Sequence, residues 1–186
     1  MSTEIGQAFI AQSQYHLAKD FLPKIERSVG LLNDQQIWWR ANEQSNSIGN
    51  LLLHLSGNVR QWIVCGLGGA TDSRDRDSEF AQRDAIPGAE LLDRLKRTVD
   101  EAVAVLGRLD PNTLLAKHRI QGLEVSALEA VLHVVEHFSM HAGQIVLLSF
   151  LIGFECVRRS KDYSKNGFRQ TRCRQRSVDD EPQHWE

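Results

Sequence analysis

The 186-residue chain has little cysteine, little net charge and no long unbroken apolar run. Each shortage excludes something. The three cysteines, Cys65, Cys156 and Cys173, are odd in number and widely spaced, which fits neither a disulfide scaffold nor a Cys-x-x-Cys zinc site. A formal net charge of −2 provides no global field for nucleic acid, so no nucleic-acid partner is expected. The opening MSTEIGQAF lacks the basic segment and apolar run of a signal peptide. No stretch approaches the roughly 18 uninterrupted apolar residues of a membrane span. Repeats and low-complexity runs are absent as well. These absences predict a soluble cytoplasmic protein in a reducing compartment, with no membrane partner.

What is present is helical periodicity. Residues 3–32 carry apolar positions at Ile5, Phe9, Phe21, Ile25, Val29 and Leu32, with Pro23 expected to kink or break the helix. Residues 33–42 read as a polar connection anchored by Trp38 and Trp39. The clearest helix is NSIGNLLLHLSGNVRQWIVCGL. Its Ile48, Leu51, Leu52, Leu55, Val59, Trp62 and Ile63 follow the i, i+3, i+4, i+7 pattern. Asn46 or Ser47 can cap its start, and Gly66, Gly68 and Gly69 can end it. Residues 70–87 read as a long charged loop. A third helix is expected from Gly88 to Leu109, and a hairpin within 114–126. Ser126 and Glu129 form a Ser-x-x-Glu box that starts a fourth helix, expected to run through Ile152 and stop at Gly153. Four long amphipathic helices predict an all-α four-helix bundle over residues 1–156. Residues 157–186 hold eight Lys/Arg against five Asp/Glu and few large apolar side chains, which predicts a basic, loosely ordered tail.

The candidate chemistry is imidazole. HVVEHFSMHAGQI (133–145) places His133, His137 and His141 four residues apart. On a helix that spacing turns only about 40°, with Cβ atoms about 5–6 Å apart, so two adjacent rings can close on one metal ion. Either His133/His137 or His137/His141 can do so; the outer two sit two turns apart. Both the row on the last helix and His54 on the second lie at the margin of an apolar stripe, where a groove between helices could open to water. The first five residues also match the inverted zinc-protease motif, with Glu136 as base. That reading needs a distant acidic third ligand downstream, which only Glu155 and the polar tail could supply.

NSIGNLLLHLSGNVRQW followed about 80 residues later by HVVEHFSMHAGQI resembles the DinB-like superfamily of metal-binding four-helix bundles, over roughly residues 5–152. That superfamily includes bacillithiol S-transferases and, more distantly, mycothiol-dependent maleylpyruvate isomerase. The resemblance implies His54, His137 and His141 as ligands of one divalent ion, zinc or nickel. His133, Gln144 and Asn58 would then contact the ligands or the substrate. Three neutral imidazoles leave a coordination position open, so the implied chemistry is activation of a low-molecular-weight thiol or of water: a thiol transferase or hydrolase acting on a small molecule. A non-catalytic metal-binding or stress-response module is the alternative. Apolar surface on the first helix and at Trp38/Trp39 predicts a homodimer, the commonest soluble assembly.

Overall fold

The computed structural model describes residues 3–165 of the chain. Four long helical rods make the bundle. The first is α1 (Thr3–Tyr15) and α2 (Leu22–Val29), joined by a π-helical stretch, His16–Phe21. Pro23 does not break the rod. Having no N–H, it sits in the first turn of α2, and the mismatch is absorbed upstream, where Leu22 N–H donates to the Leu17 carbonyl five residues back.

Between the first and second rods, the expected polar connection contains a short helix, α3 (Asp34–Ile37), set by a reciprocal capping box between Asn33 and Gln36. Four residues are too few for a periodic pattern to announce. Trp38 lies flat on Gly49, where a Cβ would come within 2.8 Å of its ring, and its indole donates to the Ile86 carbonyl at 2.9 Å. It is thus spent on internal packing.

The second rod is α4 (Ile48–Val59), extended by a π-helical turn, Arg60–Cys65. Ser47 caps it: its hydroxyl accepts from Asn50 N–H while Asn50 Oδ1 accepts from Ser47 N–H. The chain leaves this rod through Gly69, whose φ of +76° is a left-handed turn. Residues 70–87, expected as a loop, hold a further helix, α5 (Arg76–Ala81), capped by Asp75. The third rod is α6 (Gly88–Leu106), three residues shorter than expected.

The expected hairpin is present as β1 (Lys117–Ile120) and β2 (Leu123–Ser126), paired antiparallel from Lys117↔Ser126 to Ile120↔Leu123. Positive φ at Gln121 and Gly122 makes the two-residue turn that such strands favour. The Ser126/Glu129 box then starts the last rod, α7 (Ala127–Lys165): Ser126 N–H and Oγ–H both donate to Glu129 Oε2, and Glu129 N–H donates back to Ser126 Oγ. Gly153 does not stop it. A single glycine inside a helix costs only about 1 kcal/mol relative to alanine, and Gly153 does not take the positive φ of a terminator. Of the expected loose tail, residues 157–165 continue α7 as helix, and the rest, from 166 onward, lies outside the described residues.

The core is assembled from one face of each rod. Leu17, Ile25, Leu52, Leu55, Ile63, Leu95, Leu106 and Phe138 are fully enclosed, each contributing about 1.5–3 kcal/mol of transfer free energy. α4 packs against both α6 and α7, and α2 against α7. α7 is also apolar on the side away from the core, where Leu132, Met140, Leu147, Phe150 and Leu151 face solvent. By length and composition, Ala127–Gly153 would be long and apolar enough to cross a membrane. Its buried face is the wall of the bundle core.

Candidate metal centre

α4 and α7 face each other across the core. His54 on α4 meets His137 and His141 on α7, with ring centroids 5.0 and 5.1 Å away, and the two α7 rings are 4.4 Å apart. One ligand nitrogen from each of the three lies within 4.8 Å of the other two. The expected three thus converge, with His137 and His141 the α7 pair that lies nearest His54. His133, stacked on His137 at 5.5 Å, turns toward Asn58, whose Nδ2 lies 3.3 Å from its Nε2, with the Trp62 ring tilted against it at 4.1 Å.

Burial departs from expectation. His54 is 3% exposed and His141 9%, while His133 and His137 are half-buried. The row therefore opens to solvent only at the His133/His137 end. His54 is no marginal, water-facing residue, because residues 70–87 fold back over it. Arg74 and α5 bring three side chains onto the ring. Glu79 Oε2 lies 3.0 Å from His54 Nδ1, the Phe80 ring packs tilted against the imidazole at 4.6 Å, and Arg74 clamps Glu79 through two bonds of 2.8 Å. Asn50 Nδ2 donates to the Glu79 and Gln82 carbonyls and ties α5 to α4. Neither Glu79 nor Arg74 was found from sequence. The only signal was the Asp75-x-x-Ser78 cap inside a charged stretch, and a six-residue helix shows no usable periodicity.

The hydrogen bonds fix tautomers. Arg74 Nη2 is also 3.1 Å from His54 Nδ1, but a carboxylate oxygen cannot sit 3.0 Å from an imidazole lone pair. Nδ1 therefore carries the proton and donates to Glu79, leaving the Nε2 lone pair pointing at the other histidines. His141 is set the same way, Nδ1–H donating to Gln144 Oε1 at 2.6 Å. This arrangement, with the far nitrogen held by a carboxylate or amide oxygen, orients imidazoles for metal ligation. His54 Nε2 and His137 Nε2 are 2.9 Å apart, so without an ion the His137 proton bridges them. Nitrogens about 2.0–2.1 Å from one tetrahedral ion would stand about 3.3–3.4 Å apart, so an ion would require this pair to open slightly, the His137 proton to shift to Nδ1, and the remaining nitrogens, all within 4.8 Å, to adjust to the same spacing.

The electrostatics match. Burial, then the neighbouring imidazoles, push His137 down to about 3, and burial lowers His141 and His133. All three are neutral lone-pair donors at neutral pH. Burial pushes the Glu79 carboxyl up, but its bonds from Arg74 and His54 outweigh this and hold it below the usual range. Arg74 and Glu79 cancel each other's charge, so an ion held by the imidazoles would keep its +2. No Cys or Asp joins the cluster among the described residues, and Glu79 is engaged on the far side of His54. A nitrogen-only set of three could hold a divalent transition-metal ion with a position left over. A cavity of about 350 Å³ lies behind the Arg74–Glu79 pair, lined also by Gly57, Arg60, Arg94 and Thr98 and by none of the three histidines.

The model of a family described as "Protein of unknown function (DUF1572)" matches residues 4–156. Among solved structures, the chain is similar to a DinB-like protein from Bacillus cereus ATCC 10987. The TM-score is 0.61 at 14% identity, over 79% of this chain and 92% of that one. Comparison with curated proteins found no match.

Proposed function

The chain belongs to the DinB-like family DUF1572, and from that premise we propose that it is a metal-dependent enzyme. His54, His137 and His141 hold one zinc or nickel ion that activates a thiol or a water for transfer or hydrolysis on a small molecule. The observation that carries this reading is the convergence of three imidazole nitrogens, two with their far nitrogens already held by Glu79 and Gln144. A divalent ion at that point supplies Lewis acidity, lowering the pKa of a coordinated thiol or water toward neutrality. The residues do the rest. Glu79 and Gln144 keep the His54 and His141 lone pairs inward, Phe80 covers the His54 ring, and the half-open His133/His137 end admits the substrate. Glu136, exposed and one residue off the ligand row, is not positioned as a base.

Elemental analysis of purified protein tests the site. We expect one divalent ion per chain, lost in each of His54→Ala, His137→Ala and His141→Ala and retained in His133→Ala. Retention in all three ligand variants refutes the assignment. Small thiols offered with a chloro-dinitro arene test the chemistry; turnover should need the ion and vanish with it. We further propose, independently of the metal site, that the protein is a cytoplasmic homodimer. The support for the dimer is the solvent-facing apolar side of α7, where Phe150 is 73% exposed, and not the Trp38/Trp39 segment, since Trp38 packs internally.

A further inference from the structure

One turn from the proposed metal site, the same two helices carry a second set of polar groups. Asn58 and Trp62 follow His54 at successive turns of the α4 rod, and His133 precedes His137 by one turn of α7. Asn58 and Trp62 are each 4% exposed, yet Asn58 Oδ1 and Trp62 Nε1 meet no hydrogen-bond partner. Asn58 Nδ2 is turned to His133 Nε2 at 3.3 Å, and the Trp62 and His133 rings are 4.1 Å apart. An acceptor, Asn58 Oδ1, and a donor, Trp62 Nε1, are therefore left unmet on two side chains that contact the same half-buried imidazole, at the end of the row that opens to solvent. Buried polar groups of this kind forfeit hydration for nothing unless something occupies them. Trp62 sits within the π-helical turn Arg60–Cys65, and such turns recur at functional sites.

We propose that Asn58, Trp62 and His133 form a substrate-orienting subsite that takes a neutral group able both to donate and to accept a hydrogen bond, a carboxamide above all. The inference rests on the metal reading above and deepens it. The required chemistry follows from the two open atoms. Asn58 Oδ1 needs an N–H or O–H, and Trp62 Nε1–H needs an acceptor. A carboxylate cannot donate to Asn58 Oδ1, an ammonium cannot accept from Trp62, and an alkyl group does neither. A helical turn rises about 5.4 Å, so the group recognised sits a few bonds from the atom held at the ion.

The full-length protein loaded with Co²⁺ separates this subsite from the metal site itself. The thiolate-to-cobalt absorption band reads the binding of three thiols of similar length: 3-mercaptopropanamide, 3-mercaptopropionate and butanethiol. We expect the amide to bind about tenfold more tightly than either of the others, the equivalent of about 1.4 kcal/mol. Trp62→Phe, which keeps an aromatic ring in the core and removes the donor, should shrink that preference to under about threefold, with the amide losing more affinity than butanethiol. Asn58→Leu should do the same. If cobalt and all three thiols bind but the amide shows no advantage, or the carboxylate binds best, the subsite is overturned and the metal reading stands. An unchanged preference in Trp62→Phe and Asn58→Leu also overturns it. If no cobalt spectrum forms, both fail.

Discussion

Adding one methyl group at Gly57 should loosen the proposed metal site while improving the helix that carries it. Gly57 is buried in α4, three residues after His54, and the Arg74–Glu79 pair lies against its bare backbone. A Cβ there would overlap Glu79 Oε1 and come within 2.8 Å of Arg74 Nε. Alanine is the better helix former by about 1 kcal/mol, so on propensity alone Gly57→Ala stabilises α4. The clash works against this. Glu79 must leave its bond to His54 Nδ1, and with it goes the anchor of the segment from Arg74 to Gln82. Losing the partner that orients a metal-ligating histidine typically costs 10–100-fold in metal affinity. Displacing either member of the buried Arg74–Glu79 pair leaves an uncompensated charge, worth about 3–5 kcal/mol where the pair stays inside. Rehydration of the loosened segment returns part of that. We therefore expect the zinc Kd of Gly57→Ala, measured by competition with a chromophoric chelator, to rise 10–100-fold. Its metal-free Tm should fall, and proteolysis within 70–87 should speed up. A variant with raised Tm and unchanged zinc affinity would refute the reasoning, because it would mean that Glu79 does not need the space Gly57 leaves.

Three further outcomes follow. Glu79→Gln, which preserves shape and removes charge, should lower zinc affinity by about tenfold or more with the three histidines untouched; an unaltered Kd would show that the carboxylate does not set the His54 tautomer. The EDTA-treated protein should lose stability on acidification. The unfolded histidines protonate near pH 6.5, while His137 resists down to about 3 and His133 and His141 are lowered in the same direction. Stability from this source is full above about pH 6.5 and falls as pH drops toward 3, with Glu79 adding to the loss below its ordinary 4.5. Equal urea midpoints at about pH 7.5 and about pH 5 would contradict this. At a protein concentration of tens of micromolar, light scattering should give a dimer mass for the full chain and a monomer for Leu147→Glu, while truncation after Cys156 should retain both dimer and metal; a monomeric full-length chain rejects the α7 interface.

The sequence alone determined what repeats locally. Periodicity over twelve or more residues marked the rods built on α4, α6 and α7, because each must bury one stripe. The Ser47 and Ser126 starts were legible because a capping box is a short-range pattern. His137 and His141 were legible as a pair because four residues is one turn. Tertiary structure alone decided which rows meet. His54 and His137 are 83 positions apart, and no local pattern places their Nε2 atoms 2.9 Å from each other; only the packing of α4 on α7 does so. The same packing turned His133 away to Asn58. The charged stretch 70–87 was misread as loop because α5 is too short to show a period. It forms because Asp75 caps it and because Glu79 finds His54, Arg74 and the gap at Gly57 waiting. Those contacts exist only once the bundle has closed.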